Sequence, residues 1–387
     1  MKIAIFENIM TPGGHEVDFD RILTEELRAL GHEVVFYVPE GFHFGMDYHT
    51  DVHYLPGASV SYTNARGIRK LLLSVRRERR RFGWYRALYE EAQGGAFDAL
   101  IVPTSTYRYL RALRRSVLRR SPVPIIFIQH GINPSEASKF FSAADALAKY
   151  PNVRPVVLTF GDELFGERRA NVRLMPPPTF VPRDVEQGQY APIRSDEAIT
   201  IGFFGQFRRE KRLEDFLKVY LAGNYTRPVK LLVQGSTMHE EDAAAFERII
   251  SSYEGKGITF LHRGLIGAEW QRAIMEVDAL LLPYSAPRYR YHWGAMLFTA
   301  IGFQKPVLTS DDMNPEVFAA YSIGETFPSG DMDALRKTLE RFINEYDVRA
   351  PQWHKALSDA AAVYAPSRFA ARIAAVAAGE DEDREPI

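Results

Sequence analysis

The chain contains no cysteine. That absence excludes disulfides, cysteine-ligated metal, iron–sulfur chemistry and a thiol nucleophile, and it is compatible with a reducing compartment. Long hydrophobic runs are missing too. No stretch approaches the roughly 20 apolar residues that a spanning helix needs. The opening Met1–Phe6 run reads as a first buried strand rather than an export segment. The expectation is a cytoplasmic protein, either soluble or peripheral on the inner face of the cell membrane.

What is present is ordinary for a globular protein: 46% hydrophobic and 25% charged residues, which excludes wholesale disorder. A length of 387 residues exceeds one ordinary core and suits two domains. In the first half, strand-like runs at Lys2–Phe6, Glu33–Val38, Asp98–Val102, Val123–Ile128 and Val153–Thr159 alternate with helical patterns such as Glu16 to Leu30. Prolines at 176, 177 and 178, inside Met175–Pro182, break the rhythm and favour an extended connector. The rhythm restarts with Ile199–Phe204, then Lys230–Val233, Ile258–Leu261, Ala279–Leu282 and Pro306–Thr309. Strand–helix alternation in both halves predicts an α/β protein with two Rossmann-like, doubly wound domains facing a cleft. Their expected spans are 1–178 and 195–365, with 366–387 forming a helix that crosses back (Ser367–Ala378) and an acidic tail.

The net charge of −1 conceals an asymmetry. Between Arg66 and Arg120 arginines dominate, opposed only by Glu78, Glu90, Glu91 and Asp98. Within Arg66–Glu91, Ile68, Leu71, Leu72 and Val75 recur at helical spacing, followed by Phe82, Tyr85 and Tyr89. Such a helix can lie on an anionic bilayer, with Arg69, Lys70, Arg76, Arg77, Arg80 and Arg81 at the lipid surface. The same pattern also describes a helix whose apolar stripe faces its own core. No nucleic-acid motif accompanies the charge.

Chemistry is expected at strand ends. Gly13 and Gly14 after the first strand let a backbone approach a ligand at a helix N-terminus, and they also suit a plain connector. Gly205–Arg212 places Gln206, Arg208, Arg209, Glu210, Lys211 and Arg212 between the strand at 199–204 and the next helix. Fixed cations there can neutralise a diphosphate, or be a solvated turn. The aromatic loop Pro283–Gly294 carries Tyr284, Tyr289, Tyr291 and His292 with Arg288 and Arg290, ahead of a helix at Ala295–Ile301. Rings there suit a sugar or a base, or packing. His130, closing a strand, can polarise a hydroxyl or be structurally satisfied. Glu16, Asp18 and Glu163 are weaker candidates for a base.

These segments resemble the GT-B glycosyltransferases, closest in pattern to glycosyltransferase family 4 and to its divergent bacterial polysaccharide-type members. "TPGGHE…ELRALGHEVVFYV" is similar to the family's glycine-rich loop, first helix and following strand. "GFFGQFRREKR" looks like its glycine–arginine–x–x–x–glutamate–lysine donor loop, with Glu210 and Lys211 on the last two positions. "VDALLLPY", "QKPVLTSDDMNPEVF" and "PSGDMDALRKTLE" follow in the family's order. Departures are plain. The donor-loop arginine falls on Gln206, so Arg208 or Arg209 would replace it. The family's two glutamates fall on Tyr291 and Thr299, and a glycine falls on Gln304.

The resemblance implies a sugar nucleotide held mainly by the second domain, an acceptor held by the first, and no metal or cofactor. Lys211 and Arg208 or Arg209 would neutralise the leaving diphosphate. Tyr284, Tyr289, Tyr291, His292, Gly294, Ala295, Met296 and Thr299 would line the donor site, with Gly205, Gln206 and Glu210. His130, Gly13 and Gly14 would complete it. The expected function is transfer of a sugar from a nucleotide-diphosphate donor to a saccharide or lipid-linked acceptor in cell-envelope or exopolysaccharide synthesis. A sugar-nucleotide epimerase of the same fold and a non-catalytic sugar-nucleotide-binding subunit are the alternatives. Base, sugar, acceptor, anomeric outcome and oligomeric state are not legible in the sequence.

Overall fold

The computed structural model describes residues 1–9, 14–61, 65–160, 163–165, 169–183, 193 and 196–380, with Gly14 and Glu210 described by backbone only. Gly13 and the acidic tail at 381–387 lie outside the described residues. The chain divides into two compact units. The first runs from Met1 to Pro177 and includes Tyr291–Trp293 and the chain from Pro366 onward; the second comprises Pro178–Arg290 and Gly294–Ala365.

In the first unit, β1 (Lys2–Phe6), α1 (Gly14–Ala29), β2 (Glu33–Pro39), β3 (Asp51–Leu55), α2 (Gly67–Gln93), β4 (Ala99–Val102), α3 (Tyr107–Leu113), β5 (Ile125–Gln129), α4 (Ala137–Leu147), β6 (Val153–Leu158) and β7 (Arg173–Met175) follow in order. Its described strands form a parallel sheet in the order β3-β2-β1-β4-β5-β6-β7. The central strands are buried along their whole length, as near-continuous apolar runs in a doubly covered sheet must be.

The second unit holds β8 (Ile199–Phe203), α5 (Leu213–Ala222), β9 (Val229–Gly235), α6 (Glu240–Tyr253), β10 (Ile258–His262), α7 (Gly267–Met275), β11 (Ala279–Leu282), α8 (Ala295–Gly302), β12 (Val307–Ser310), α9 (Pro315–Ala320), β13 (Gly324–Phe327), α10 (Met332–Asn344) and α11 (Tyr346–Val363). Its parallel sheet is ordered β10-β9-β8-β11-β12-β13. The closing helix α12 (Pro366–Ala378) packs on α1 in the first unit, with Phe369 against Phe19 at 5.7 Å between ring centroids.

Both sheets repeat one doubly wound order. In each, the connection reverses direction between the first strand of the unit and the strand on its other side: β1 and β4, then β8 and β11. Loops leaving such a pair of strands diverge to opposite faces and open a crevice at the carboxyl ends. The proline-rich connector does not hang free. Thr179 is fully buried and donates its N–H and hydroxyl to the Tyr364 carbonyl at 2.9 and 3.1 Å.

Candidate functional site

In the second unit the reversal point lies between the loop after β8 and the loop after β11. Gly205 leaves β8 with φ of +109°, a backbone conformation that excludes most side chains. Its N–H donates to Gln234 Oε1 at 2.9 Å, and its carbonyl accepts from Ser236 N–H at 3.4 Å. The loop is thereby stitched to the end of β9. Gln206 accepts from Arg208 at 2.9 Å and pairs by backbone with Ser236.

Lys211, only 8% exposed, turns its ammonium back over this loop. Nζ donates to the Phe204 carbonyl at 3.4 Å and lies 4.9 Å from the centre of the Tyr284 ring. A Cβ at position 205 would approach that ammonium to 2.9 Å, so the glycine leaves the cation room. Arg208 and Arg209 are exposed beside it.

Tyr284 is 4% exposed and its ring packs 5.0 Å from that of Tyr289, itself under the Arg288 guanidinium at 4.9 Å. The Tyr284 hydroxyl has no partner among the described residues, and burial holds its pKa well above the ordinary phenol value. A buried phenol in this state is a ready donor for an incoming oxygen. Arg290 pairs with Glu316 at the start of α9. Gly294 precedes α8 and donates its N–H to Asn314 Oδ1 at 3.0 Å. Asn314 is buried and left-handed, with φ of +40°. The α8 N-terminus, with half-buried Ala295 and Met296, is thus anchored from the end of β12.

Three residues expected to line the donor site have partners within the fold. Thr299 is 2% exposed and its hydroxyl donates to the Ala295 carbonyl at 2.9 Å, so it is satisfied inside α8. Tyr291 and His292 group with the first unit rather than with Tyr284 and Tyr289. There His292 forms an antiparallel bridge with Gly131, the Tyr291 carbonyl accepts from Ile132 N–H at 3.1 Å, and Trp293 donates to the His130 carbonyl at 3.1 Å. A Cβ on Gly131 would meet the His292 Cα and the Tyr291 carbonyl oxygen at 2.4 Å, and its φ is +102°.

His130 itself is held tightly. Nε2 lies 3.0 Å from the Pro103 carbonyl, which can only accept, so that nitrogen carries the proton. Phe19 and Trp293 crowd the ring edge-on at 4.7 and 5.0 Å. Burial, with His15 and His292 adding repulsion, brings its pKa down to about 3. A neutral imidazole of such low basicity is a poor proton acceptor.

A second buried titratable group of this unit is a carboxylate that no local pattern marks. Glu7, at the end of β1, is 5% exposed; Oε1 accepts from the N–H groups of Asn8 and Ile9, both at 2.5 Å. Its pKa is pushed up to about 7 by burial, with the N–H groups of Ile9 and Asn8 opposing the rise and the charge of Glu16 adding to it. Asp20, on α1 and 4% exposed, is raised well above its usual value by burial and by Glu7 and Glu16. With Phe42, Phe44 and Tyr48 they line a small cavity. No local signal marks the pair, because Glu7 and Asp20 meet only when α1 folds back on β1. Of the weaker candidates, Asp18 is buried and paired with Arg21 at 3.2 Å, Glu16 pairs with His15 at 3.1 Å, and Glu163 is exposed.

The six basic positions on α2 do not form one surface. Arg81 is 4% exposed, donates to Glu78 at 2.6 Å and stacks 4.2 Å over the Tyr109 ring. It belongs to the interior and not to an outer face. Arg77 and Arg80 are half-buried, whereas Arg69, Lys70 and Arg76 are exposed.

Two parallel doubly wound units of this strand order have the GT-B glycosyltransferase fold, and solved structures agree. The chain is similar to Anabaena HepE, solved with UDP, at a TM-score of 0.67 and 14% identity over 98% of this chain and 100% of that one. It is similar to WaaG, a glycosyltransferase involved in lipopolysaccharide biosynthesis, at 0.63 and 14% over 97% and 100%. A trehalose-phosphate synthase from Burkholderia xenovorans, with glucose-6-phosphate, superposes at 0.65 and 12% identity over 98% and 100%. No protein-family model matches the chain, and no curated protein matches it.

Proposed function

We propose that the protein is a glycosyltransferase that moves a sugar from a nucleotide-diphosphate donor to a saccharide or lipid-linked acceptor, in cell-envelope or exopolysaccharide synthesis. The observation that carries this reading is the placement of Lys211. A largely buried ammonium lies at the reversal point of the second sheet, over a positive-φ glycine and 4.9 Å from the centre of the Tyr284 ring, whose hydroxyl has no partner among the described residues. A diphosphate set there would meet a fixed charge in a partly dry site, where charge stabilisation of a leaving group is worth most. The exposed Arg208 and Arg209 and the start of α8 would add donors. Because HepE was solved with UDP and with UDP-glucose, a UDP-sugar is the donor to try first.

In this reading no resident metal is required, the leaving charge falls to the cations, and EDTA leaves turnover unchanged. The reading also includes a cytoplasmic site of action and contact with an anionic membrane surface. No described helix is long and apolar enough to cross a membrane.

A thermal-shift screen against UDP, GDP, ADP, CMP and dTDP sugars tests the donor site, since a ligand of the folded state raises Tm by mass action. The expected result is a shift with one nucleotide class, UDP first, that Lys211→Ala abolishes. Absence of a shift with every nucleotide would overturn the reading.

A further inference from the structure

Helix α2 is 27 residues long, about 40 Å, and carries two apolar stripes. The residues it buries are Arg81, Trp84, Tyr85, Leu88 and Ala92, all in its second half. Trp84 donates to the Pro56 carbonyl at 3.2 Å and packs edge-on to Phe6 at 6.0 Å, which fixes that half to the first unit's core. The first half is different. Ile68, Leu71, Leu72 and Val75 are 78%, 65%, 64% and 46% exposed. At 3.6 residues per turn, the centres of the two stripes point about 130° apart. The exposed stripe is therefore not the core-facing stripe frayed at its end, and rotating the helix to bury one would expose the other.

The charge around the exposed stripe has one sign. No Asp or Glu occurs between Asp51 and Glu78, while Arg66, Arg69, Lys70 and Arg76 are exposed in that span and Arg79 is exposed just after it. Arg80 and Arg81 are turned away from it, toward Gly57 and Tyr109 respectively. A soluble surface rarely leaves four large aliphatic side chains in one row. A row of aliphatics flanked on one side by Arg69, Arg76 and Arg79, with the nearest carboxylate, Glu78, already paired to Arg81, matches an anionic bilayer, which offers acyl chains beneath phosphate headgroups.

We propose that the first turns of α2 dock on an anionic lipid bilayer. Ile68, Leu71, Leu72 and Val75 enter the boundary between headgroups and acyl chains, and Arg69, Arg76 and Arg79 engage lipid phosphates. The proposal rests on the membrane contact included above and gives it a residue-level footing. It needs neither donor nor acceptor, so it stands or falls apart from glycosyl transfer.

The test is co-sedimentation of the full chain with phosphatidylcholine vesicles, with and without phosphatidylglycerol, in the absence of any sugar nucleotide. Binding is expected to the mixed vesicles and not to phosphatidylcholine alone. The exposed double variant Leu71→Asp/Leu72→Asp, checked for native circular dichroism, should lower it roughly tenfold or more. Because the chain lacks cysteine, Leu72→Cys takes a single environment-sensitive fluorophore. Its emission should move to the blue when mixed vesicles are added. The double variant should keep the wild-type response in the nucleotide thermal-shift screen, which separates the two readings. The proposal is overturned if mixed vesicles do not bind, or if the double variant binds them as wild type does. It is also overturned if the stripe instead mediates self-association that the double variant abolishes in the absence of lipid.

Discussion

Glu7 sits where a strand end would ordinarily offer its carboxylate to water, yet it is buried against Asp20. A folded-state pKa of about 7 against an ordinary 4.5 means that the folded protein binds this proton more tightly than the unfolded chain does. That contribution is full below pH 4.5 and is lost as pH rises through 7. Glu7→Gln keeps the acceptor for Asn8 and Ile9 and removes the ionisation. It is expected to raise stability at pH 8 by up to about 3 kcal/mol and to change little at pH 4.5. Urea titrations of both proteins at the two pH values would show this, and equal wild-type and variant stability at pH 8 would rule it out. Gly131 makes the opposite kind of demand. Its backbone is left-handed and has no room for a Cβ against Tyr291 and His292. Gly131→Ala should cost about 2–4 kcal/mol in a urea titration, and a loss below about 0.5 kcal/mol would mean that the Tyr291–Trp293 segment can move away.

Among the elements, the strands a reader recovers from sequence and those that are missed divide along a physical line. β1, β2, β4, β5 and β6, and β8 to β12, announce themselves as short apolar runs because nearly all of them are covered on both faces. The ones not foreseen, β3, β7 and β13, are all at sheet edges. β3 reads DVHYL with Tyr54 60% exposed, and β7 is only three residues long. One-sided burial leaves no continuous apolar run to detect. Gln304 shows the converse, a residue standing where the family's glycine was expected. It takes φ of +57°, and its own side chain donates to the Ile301 carbonyl at 2.8 Å, which ties down the end of α8. Helix α10 begins at Asp331, whose carboxylate accepts from Ala334 N–H at 2.9 Å. Asp331→Ala should lower stability by about 1 kcal/mol in a denaturant titration, and no loss would show that water replaces the cap.

For the whole molecule, pH acts on half-buried histidines in both units. His130 and His354 are held down to about 3 and 4, chiefly by burial, from an ordinary 6.5. A depressed folded-state pKa in a histidine means that protons favour the unfolded chain. This part of the stability is complete above pH 6.5 and drains as pH falls toward 4 and then 3. An acid titration followed by tryptophan fluorescence should therefore show His354→Gln unfolding at lower pH than wild type. An unchanged midpoint would mean that the ring is not neutral by burial.

The sequence by itself determined the two-sheet plan, through apolar runs separated by helical periods. It also singled out the loops that carry glycines and cations between a strand and a helix, since these are local signals. It held the two faces of α2 and the two states of His130 as open alternatives. Only the tertiary structure shows which stripe of α2 is covered and what surrounds the His130 ring. Whether an apolar stripe is covered depends on what packs there, and whether a histidine titrates depends on partners such as Pro103 and Trp293, distant in the chain. The grouping of Tyr291 and His292 with Gly131, and the meeting of Glu7 with Asp20, are of the same kind. They are contacts between segments remote in sequence, and nothing in the local residue pattern encodes them.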